Sequence, residues 1–322
     1  MSMATVTPLP AAAPFRMPHA KDEAWRYSDR AALEAAQDLP FAQDPPAEHD
    51  LADGARLECK HDAGGRALHH RAALRLRPGA AAVLVQHVSG AGWVNAALDI
   101  AVGDGRLDHV IIQDSDADAV ATLALDVEIG AGGHYRLFVL HAGSRFARVG
   151  LDAALTGTDA RLDLTAVQLA RGKQVVETVS RTSHRVPHTH SDQIVRSVLD
   201  GRATANYLGK IVVERHAQKT DAAQNARALL LDRSATANTK PELEIYADDV
   251  KCAHGAAIGA LDEDALFYLT SRGIGEAQAR AMLIEAFIAD VVSQVRDEDA
   301  RAAIQHIAAA WLDAGGAEGP AS

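Results

Sequence analysis

The sequence predicts a mainly β chain with helices at its two ends, and three observations carry that prediction. Between about Leu57 and Asp262 short apolar runs recur, broken by polar residues or glycine. Several of them alternate apolar and polar residues with period two, as a strand with one buried face does, and Thr122 to Ile129 is the clearest. Aromatic residues make up only 4% of a chain that is 48% apolar, so the interior must be filled by small aliphatic side chains. No amphipathic helix of ordinary length separates the runs, which argues against a βαβ sheet. Two all-β solutions remain, a sandwich and a parallel β-helix whose stacked coils enclose a narrow core. Hairpin signals such as Asp104-Gly105 and Asp200-Gly201 are few. The β-helix is favoured, although no strict repeat is visible.

Taken in order, residues 1–20 are rich in Ala and Pro and read as loosely docked or disordered. Met1 to Pro18 shows no basic region followed by an apolar core, so it does not read as a secretory signal. Asp29 is placed to cap a short helix running to Gln37. Pro40 to Asp50, with Pro45-Pro46, reads as a linker or loop. The strand region follows. From Glu263 the period becomes helical, with helices expected over Glu276 to Val295 and Ala300 to Leu312, broken at Asp297-Glu298-Asp299. The expected division is 1–50 for an N-terminal segment, 51–262 for the β core and 263–322 for a C-terminal helical domain.

Composition removes several functions. A formal net charge of −11 opposes binding to nucleic acid or to an anionic membrane surface. No segment has the apolar length of a membrane span. Two cysteines far apart, Cys59 and Cys252, do not make a disulfide scaffold, and free thiols in the cytoplasm are expected. Lys219-Thr220 lacks the glycines of a phosphate loop, and neither a dinucleotide fingerprint nor a Gly-x-Ser-x-Gly elbow is present. Carboxylates are plentiful enough for a glycosidase pair, but the aromatic subsites of a polysaccharide-cutting β-helix are scarce.

Two constellations could carry chemistry. In an extended Lys251-Cys252-Ala253-His254 segment, Cys252 and His254 project to the same face. A thiolate and a neutral imidazole are good ligands for zinc or iron–sulfur chemistry, but two ligands do not complete a site. The plainer reading, favoured by these residues alone, is that Cys252 is a small core hydrophobe. The second is His188 and His190, which would share a face if that segment is extended, with Asp192 nearby as a carboxylate. Here a hydrogen-bonded polar loop, or a row of histidines at the core edge, is the favoured reading.

From His184 to Ile274 the chain carries a run of specific words. They are Thr182 with His184, Pro187-His188-Thr189, Ser197-Val198-Leu199-Asp200-Gly201, Gly209-Lys210-Ile211-Val212-Val213 and Ala217-Gln218-Lys219-Thr220-Asp221-Ala222 with Gln224. Further on stand Leu229-Leu230-Leu231, Pro241, Leu243-Glu244-Ile245, Ala247-Asp248-Asp249-Val250, Cys252, His254-Gly255-Ala256, Leu266-Phe267-Tyr268-Leu269 and Ser271-Arg272-Gly273-Ile274. This pattern resembles the SufB/SufD family of iron–sulfur cluster assembly proteins, most closely its SufD branch. Glu23, Trp25-Arg26-Tyr27 and Asp29 form a weaker match to the family's N-terminal segment.

The resemblance implies a right-handed parallel β-helix with a short N-terminal segment and a C-terminal α-helical domain. It implies a non-catalytic scaffold that joins SufB and the SufC ATPase, with a transient iron–sulfur cluster built at the SufB–SufD interface. It makes His254 the leading cluster ligand and Cys252 the secondary one, and leaves His188 and His190 as weaker metal candidates. The C-terminal helices would dock SufC, with Met282, Leu283 and Phe287 as candidate contacts. An isolated chain could also pair with itself through the same surface. The sequence departs from the family where Gly255-Ala256-Ala257 replaces Gly-Ala-Thr, and it has little ahead of Trp25. Two other readings stay open beside this one: a metal-dependent β-helix hydrolase using His188, His190 and Asp192, and a structural homodimer.

Overall fold

The computed structural model describes residues 17–19 and 22–316. Its body is a solenoid of parallel strands. In chain order these are β1 (Phe41–Gln43), β2 (Ala47–Leu51), β3 (Arg56–Asp62), β4 (Ala67–Leu76), β5 (Ala81–Ser89), β6 (Trp93–Gly103), β7 (Arg106–Gln113), β8 (Val120–Ile129) and β9 (His134–Ala142). They continue as β10 (Phe146–Leu155), β11 (Arg161–Ala170), β12 (Val175–His184), β13 (His190–Leu199), β14 (Thr204–Val213), β15 (Asp221–Leu230), β16 (Thr236–Ile245) and β17 (Lys251–Ala260). Odd strands from β3 to β17 form one eight-stranded sheet. Even strands, with β1 and β2 both pairing β4 at the start, form the nine-stranded one. From β2 onward each strand therefore pairs with the strand two places on, which makes the chain a parallel β-helix.

The period-two signal is real where it was read. In β8, Ala121, Leu123, Leu125, Val127 and Ile129 point into the core while Ala124, Asp126 and Glu128 are exposed on the outer face. The core is filled mostly by Ala, Val, Leu and Ile, as the low aromatic content requires. The linker reading of Pro40 to Asp50 is corrected: β1 and β2 lie within 41–51 and add to the sheet beside β4. Pro45-Pro46 interrupts them, but pairing to a strand more than twenty residues later supplies the hydrogen bonds that local sequence does not advertise.

Helices pack on both sheets. Helix α1 (Arg30–Gln37) begins where expected, with Asp29 accepting a capping hydrogen bond from Ala32 N at 2.9 Å. It buries Leu33 and Ala36 against Trp93, Val120 and Phe146 of the nine-stranded sheet. On the other sheet lie α3 (Glu276–Val292) and α4 (Glu298–Gly316), whose Ile284, Ile288, Val291 and Ile304 pack on Val110, Phe138 and their neighbours. Each such side chain is worth about 1.5–3 kcal/mol of burial, enough to hold the pair firmly on the sheet. An unanticipated helix, α2 (Glu263–Ser271), starts at Asp262, whose carboxylate accepts from Asp264 N and Ala265 N. It has no buried residue. No described helix is long and apolar enough to cross a membrane.

Candidate functional site at the open end of the solenoid

Strand β17 is the last of its sheet and β16 the last of the other, so the solenoid ends with two strands that have no neighbour on one side among the described residues. An edge of this length presents a row of unpaired backbone donors and acceptors. Pro241 in β16 fits an edge strand, where its missing N–H costs no ladder bond. Side chains that would be core in an inner coil are exposed here: Ile258 is 50% accessible and Ile245, in register with the buried Val213, 40%.

The register of β17 is set by two stacked turns, and these turns are the words that carry the family pattern. Thr220 Oγ1 donates to Ala217 O at 2.8 Å, closing the first turn. Gln218 Oε1 accepts from Asp249 N at 2.9 Å, and the Lys219 ammonium pairs with the Asp249 carboxylate, fastening the second turn on the first. Strand β17 then lies with Cys252 beside Ala222 and His254 beside Gln224. Ala222 and Gln224 are buried, so this column faces the solenoid interior, and Cys252 and His254 share one face as the spacing predicts.

The two differ in exposure. Cys252 is half-buried and packs against Ile211, Val213, Ala217, Ala222 and Ala247. Burial first, and then the Asp221 carboxylate, push its thiol above the ordinary range, so it is protonated at neutral pH. His254 is exposed. The imidazole is the accessible donor, while the thiol must be deprotonated before it ligates.

The interior behind this pair turns polar. Along the His254 column, Leu137 and Leu164 give way to Gln193 and Gln224. Beside them lie Ser180, Thr182, His184, Ser191 and Tyr207, all buried. His184 is bonded through Nδ1 to Thr189 Oγ1 at 2.8 Å and through Nε2 to Ser191 Oγ at 2.9 Å. In the sequence His184 and Gln224 stand only as letters of the family-like words. Their common signal was a polar residue at an inward position of an alternating strand.

The other candidates fall elsewhere. His188 is not in an extended segment: its φ is 59°, it occupies the turn before β13, and it is exposed. Asp159 and Lys219 hold the same left-handed conformation at the turns of the coils on either side. Backbone bonds link the three turns, with His188 N donating to Gln218 O at 2.9 Å and Asp159 N to His188 O at 3.1 Å. His190 opens β13 on the outer face, two residues from Asp192, so the condition under which His188 and His190 share a strand face is not met. Among the described residues no three His, Cys, Asp or Glu groups converge as a metal site. Cys59 is inward-facing on β3, the first strand of the sheet that β17 ends. Seven strand spacings of ~4.8 Å separate the two thiols by roughly 34 Å, so they cannot form a disulfide within one chain.

Comparison with known proteins agrees with this architecture. The family described as "SUF system FeS cluster assembly, SufBD core domain" matches residues 59–287, well over half of the chain. The chain belongs to the SufBD family. Over 156 residues this SufBD chain is 36% identical to the iron-sulfur cluster assembly protein SufD of Escherichia coli, covering 48% of the chain and 37% of that protein. It is 34% identical over 202 residues to an iron-sulfur cluster assembly SufBD family protein of Synechocystis, covering 62% of the chain and 45% of the relative. It is 33% identical over 211 residues to the chloroplastic protein ABCI7 of Arabidopsis thaliana, covering 65% and 44%. The matched segments thus span less than half the length of these three relatives.

Proposed function

We propose that the chain is a SufD-like scaffold subunit of iron–sulfur cluster assembly, pairing through its open solenoid end with a SufB-type partner. The observation that carries this reading is the coincidence of two features at one place. The exposed edge strand β17 needs a covering strand, and it also carries the accessible ligand His254 with Cys252 beside it. Two ligands are too few for a cluster, and a second chain laid along that edge would bring the others. The cluster is cargo of the assembly, and this chain contributes a wall and one or two donors to it.

The C-terminal helices support a second contact, with a SufC-type ATPase. Of the residues proposed from sequence, Met282 is 42% exposed, whereas Leu283 and Phe287 are half-buried. Phe287 packs toward the sheet, with the Arg196 guanidinium 5.9 Å from its ring centroid. Phe267 at 73% and Tyr268, both on the unburied helix α2, are further exposed apolar side chains of the C-terminal helices.

Two experiments test these assignments. In a complex reconstituted with SufB and SufC, His254→Ala is expected to lower the cluster's visible absorption by about tenfold or more, the scale on which even outer-shell changes act. Unchanged cluster formation overturns the ligand role, and a solenoid that elutes alone as a dimer and ignores SufB favours the homodimer reading. Phe267→Asp combined with Met282→Asp is expected to abolish co-purification with SufC while leaving thermal unfolding unchanged, since neither residue is buried. Retained co-purification overturns the docking assignment.

A further inference from the structure

Beneath His254 lies a buried amide with nothing to bond. Gln224 is 2% exposed, faces inward on β15 and pairs in register with His254. Neither its Oε1 nor its Nε2 has a hydrogen-bond partner. Buried polar side chains are nearly always paired, and each exception calls for a cause. The next amide down the same column shows the ordinary state. Gln193 Oε1 accepts from Ser180 Oγ at 2.5 Å and from Tyr207 Oη at 3.1 Å, and its Nε2 donates to Thr182 Oγ1 at 3.1 Å. Of two stacked glutamines, only the one facing the open end is unpaired.

The fold also keeps space for that amide. Gly209 stands across the interior from it. A Cβ there would come within 2.2 Å of Tyr207 Oη and 2.9 Å of Gln224 Nε2. An alanine would therefore displace the tyrosine that holds Gln193 and crowd the free amide.

The geometry points to Gln224 as the positioning residue for His254, its amide oxygen accepting the ring N–H that His254 does not use when the other nitrogen ligates the cluster. This rests on the reading of His254 as a ligand. A neutral imidazole that binds metal through one nitrogen carries a proton on the other, and that N–H is normally held by an acceptor that sets the tautomer and the ring direction. Adjacent strands lie ~4.8 Å apart, so an in-register glutamine reaches a ring turned toward the interior. Gln224 Oε1 is the acceptor left open in that column. In the unloaded chain His254 is exposed and the amide waits unpaired, a local cost retained because its partner arrives with the cluster.

The test separates function from stability, because the two are expected to move apart. Gln224→Leu removes two unpaired polar atoms at nearly constant volume. The unloaded chain should therefore melt at the same temperature or higher. In the reconstituted complex the same variant should retain cluster 10- to 100-fold less well, judged by visible absorption during chelator challenge. Gln224→Glu, which keeps an acceptor at that position, should restore retention. A lower melting temperature for unloaded Gln224→Leu would mean that the amide is already bonded, through water, in a structural role, and overturns the proposal. So does wild-type retention in Gln224→Leu when His254→Ala loses the cluster. If His254→Ala itself retains the cluster, the ligand reading fails and the positioning role falls with it.

Discussion

Between pH 7 and pH 5 the chain is expected to lose about 2 kcal/mol of folding stability for each of four buried histidines. His109 and His141 are held down to about 3, and His61 and His184 to about 4, against an ordinary value of 6.5. Burial is the leading cause in all four. Their folded values are depressed, so the unfolded chain takes up protons first. The stability they contribute is full above about 6.5 and drains away as pH falls toward 3 to 4. Hydrogen bonding reinforces this. Gln86 Nε2 lies 3.0 Å from His61 Nε2, and Gln86 Oε1 lies 2.8 Å from His109 Nε2. His109 Nδ1 lies 2.7 Å from Tyr135 Oη. With the amide nitrogen donating to it, His61 must be neutral.

Three carboxyls work in the opposite direction. Asp114, Asp126 and Asp192 are raised, chiefly by burial, so the folded chain protonates them first and gains relative stability as pH falls. They lie on the solenoid's rim and outer faces and are less enclosed than the histidines, so the net change remains a loss on the order of several kcal/mol. Urea midpoints at pH 7, 6 and 5 should fall steadily. A flat midpoint over that interval would refute the account.

Glu177→Ala is expected to cost about 3–5 kcal/mol, the penalty for stranding one member of a buried ion pair. Glu177 on β12 and Arg148 on β10 are both buried, with Arg148 Nη1 donating to Glu177 Oε2 at 2.7 Å. The same oxygen accepts from Ser28 Oγ at 2.7 Å, and Oε1 accepts from Asn206 Nδ2 at 2.7 Å. The Arg148 guanidinium lies 3.8 Å from the Trp25 ring centroid. Removing the carboxylate leaves a buried cation and also frees the N-terminal segment. The loss should therefore appear both in denaturant midpoints and as a change in tryptophan fluorescence before global unfolding. A cost under about 1 kcal/mol would show that Glu177 is not the anchor.

That anchor explains a word the sequence displayed without its reason. In Glu23-Ala24-Trp25-Arg26-Tyr27-Ser28-Asp29, Glu23 pairs with Lys240 on β16, Trp25 stacks on Arg148, the Tyr27 carbonyl accepts from Asn206 at 3.3 Å and Ser28 bonds Glu177. Asp29 caps α1 and pairs with Arg145 at 3.3 Å. The segment is a strap across the nine-stranded sheet, reaching its last strand. Its residues resembled the family's, but their partners lie more than a hundred residues away, where no local pattern points.

Local physics was legible throughout. Alternation in Thr122 to Ile129 assigned inward and outward faces correctly, the cap at Asp29 began α1, and the paired projection of Cys252 and His254 followed from strand geometry alone. These depend on two to four neighbouring residues, so the sequence by itself determined them. It was silent or misleading wherever a contact joins successive coils. Stacking decided that β17 is an end strand, which converts Cys252-Ala253-His254 from inner core into an exposed edge. Turn stacking placed His188 at φ 59° and removed it from His190's face. Register placed an unpaired Gln224 beneath His254. In a solenoid, neighbours in space are a full coil apart in sequence, and the register between coils is set by turns and core packing together. Only the tertiary structure could show which residues meet at the open end of the solenoid.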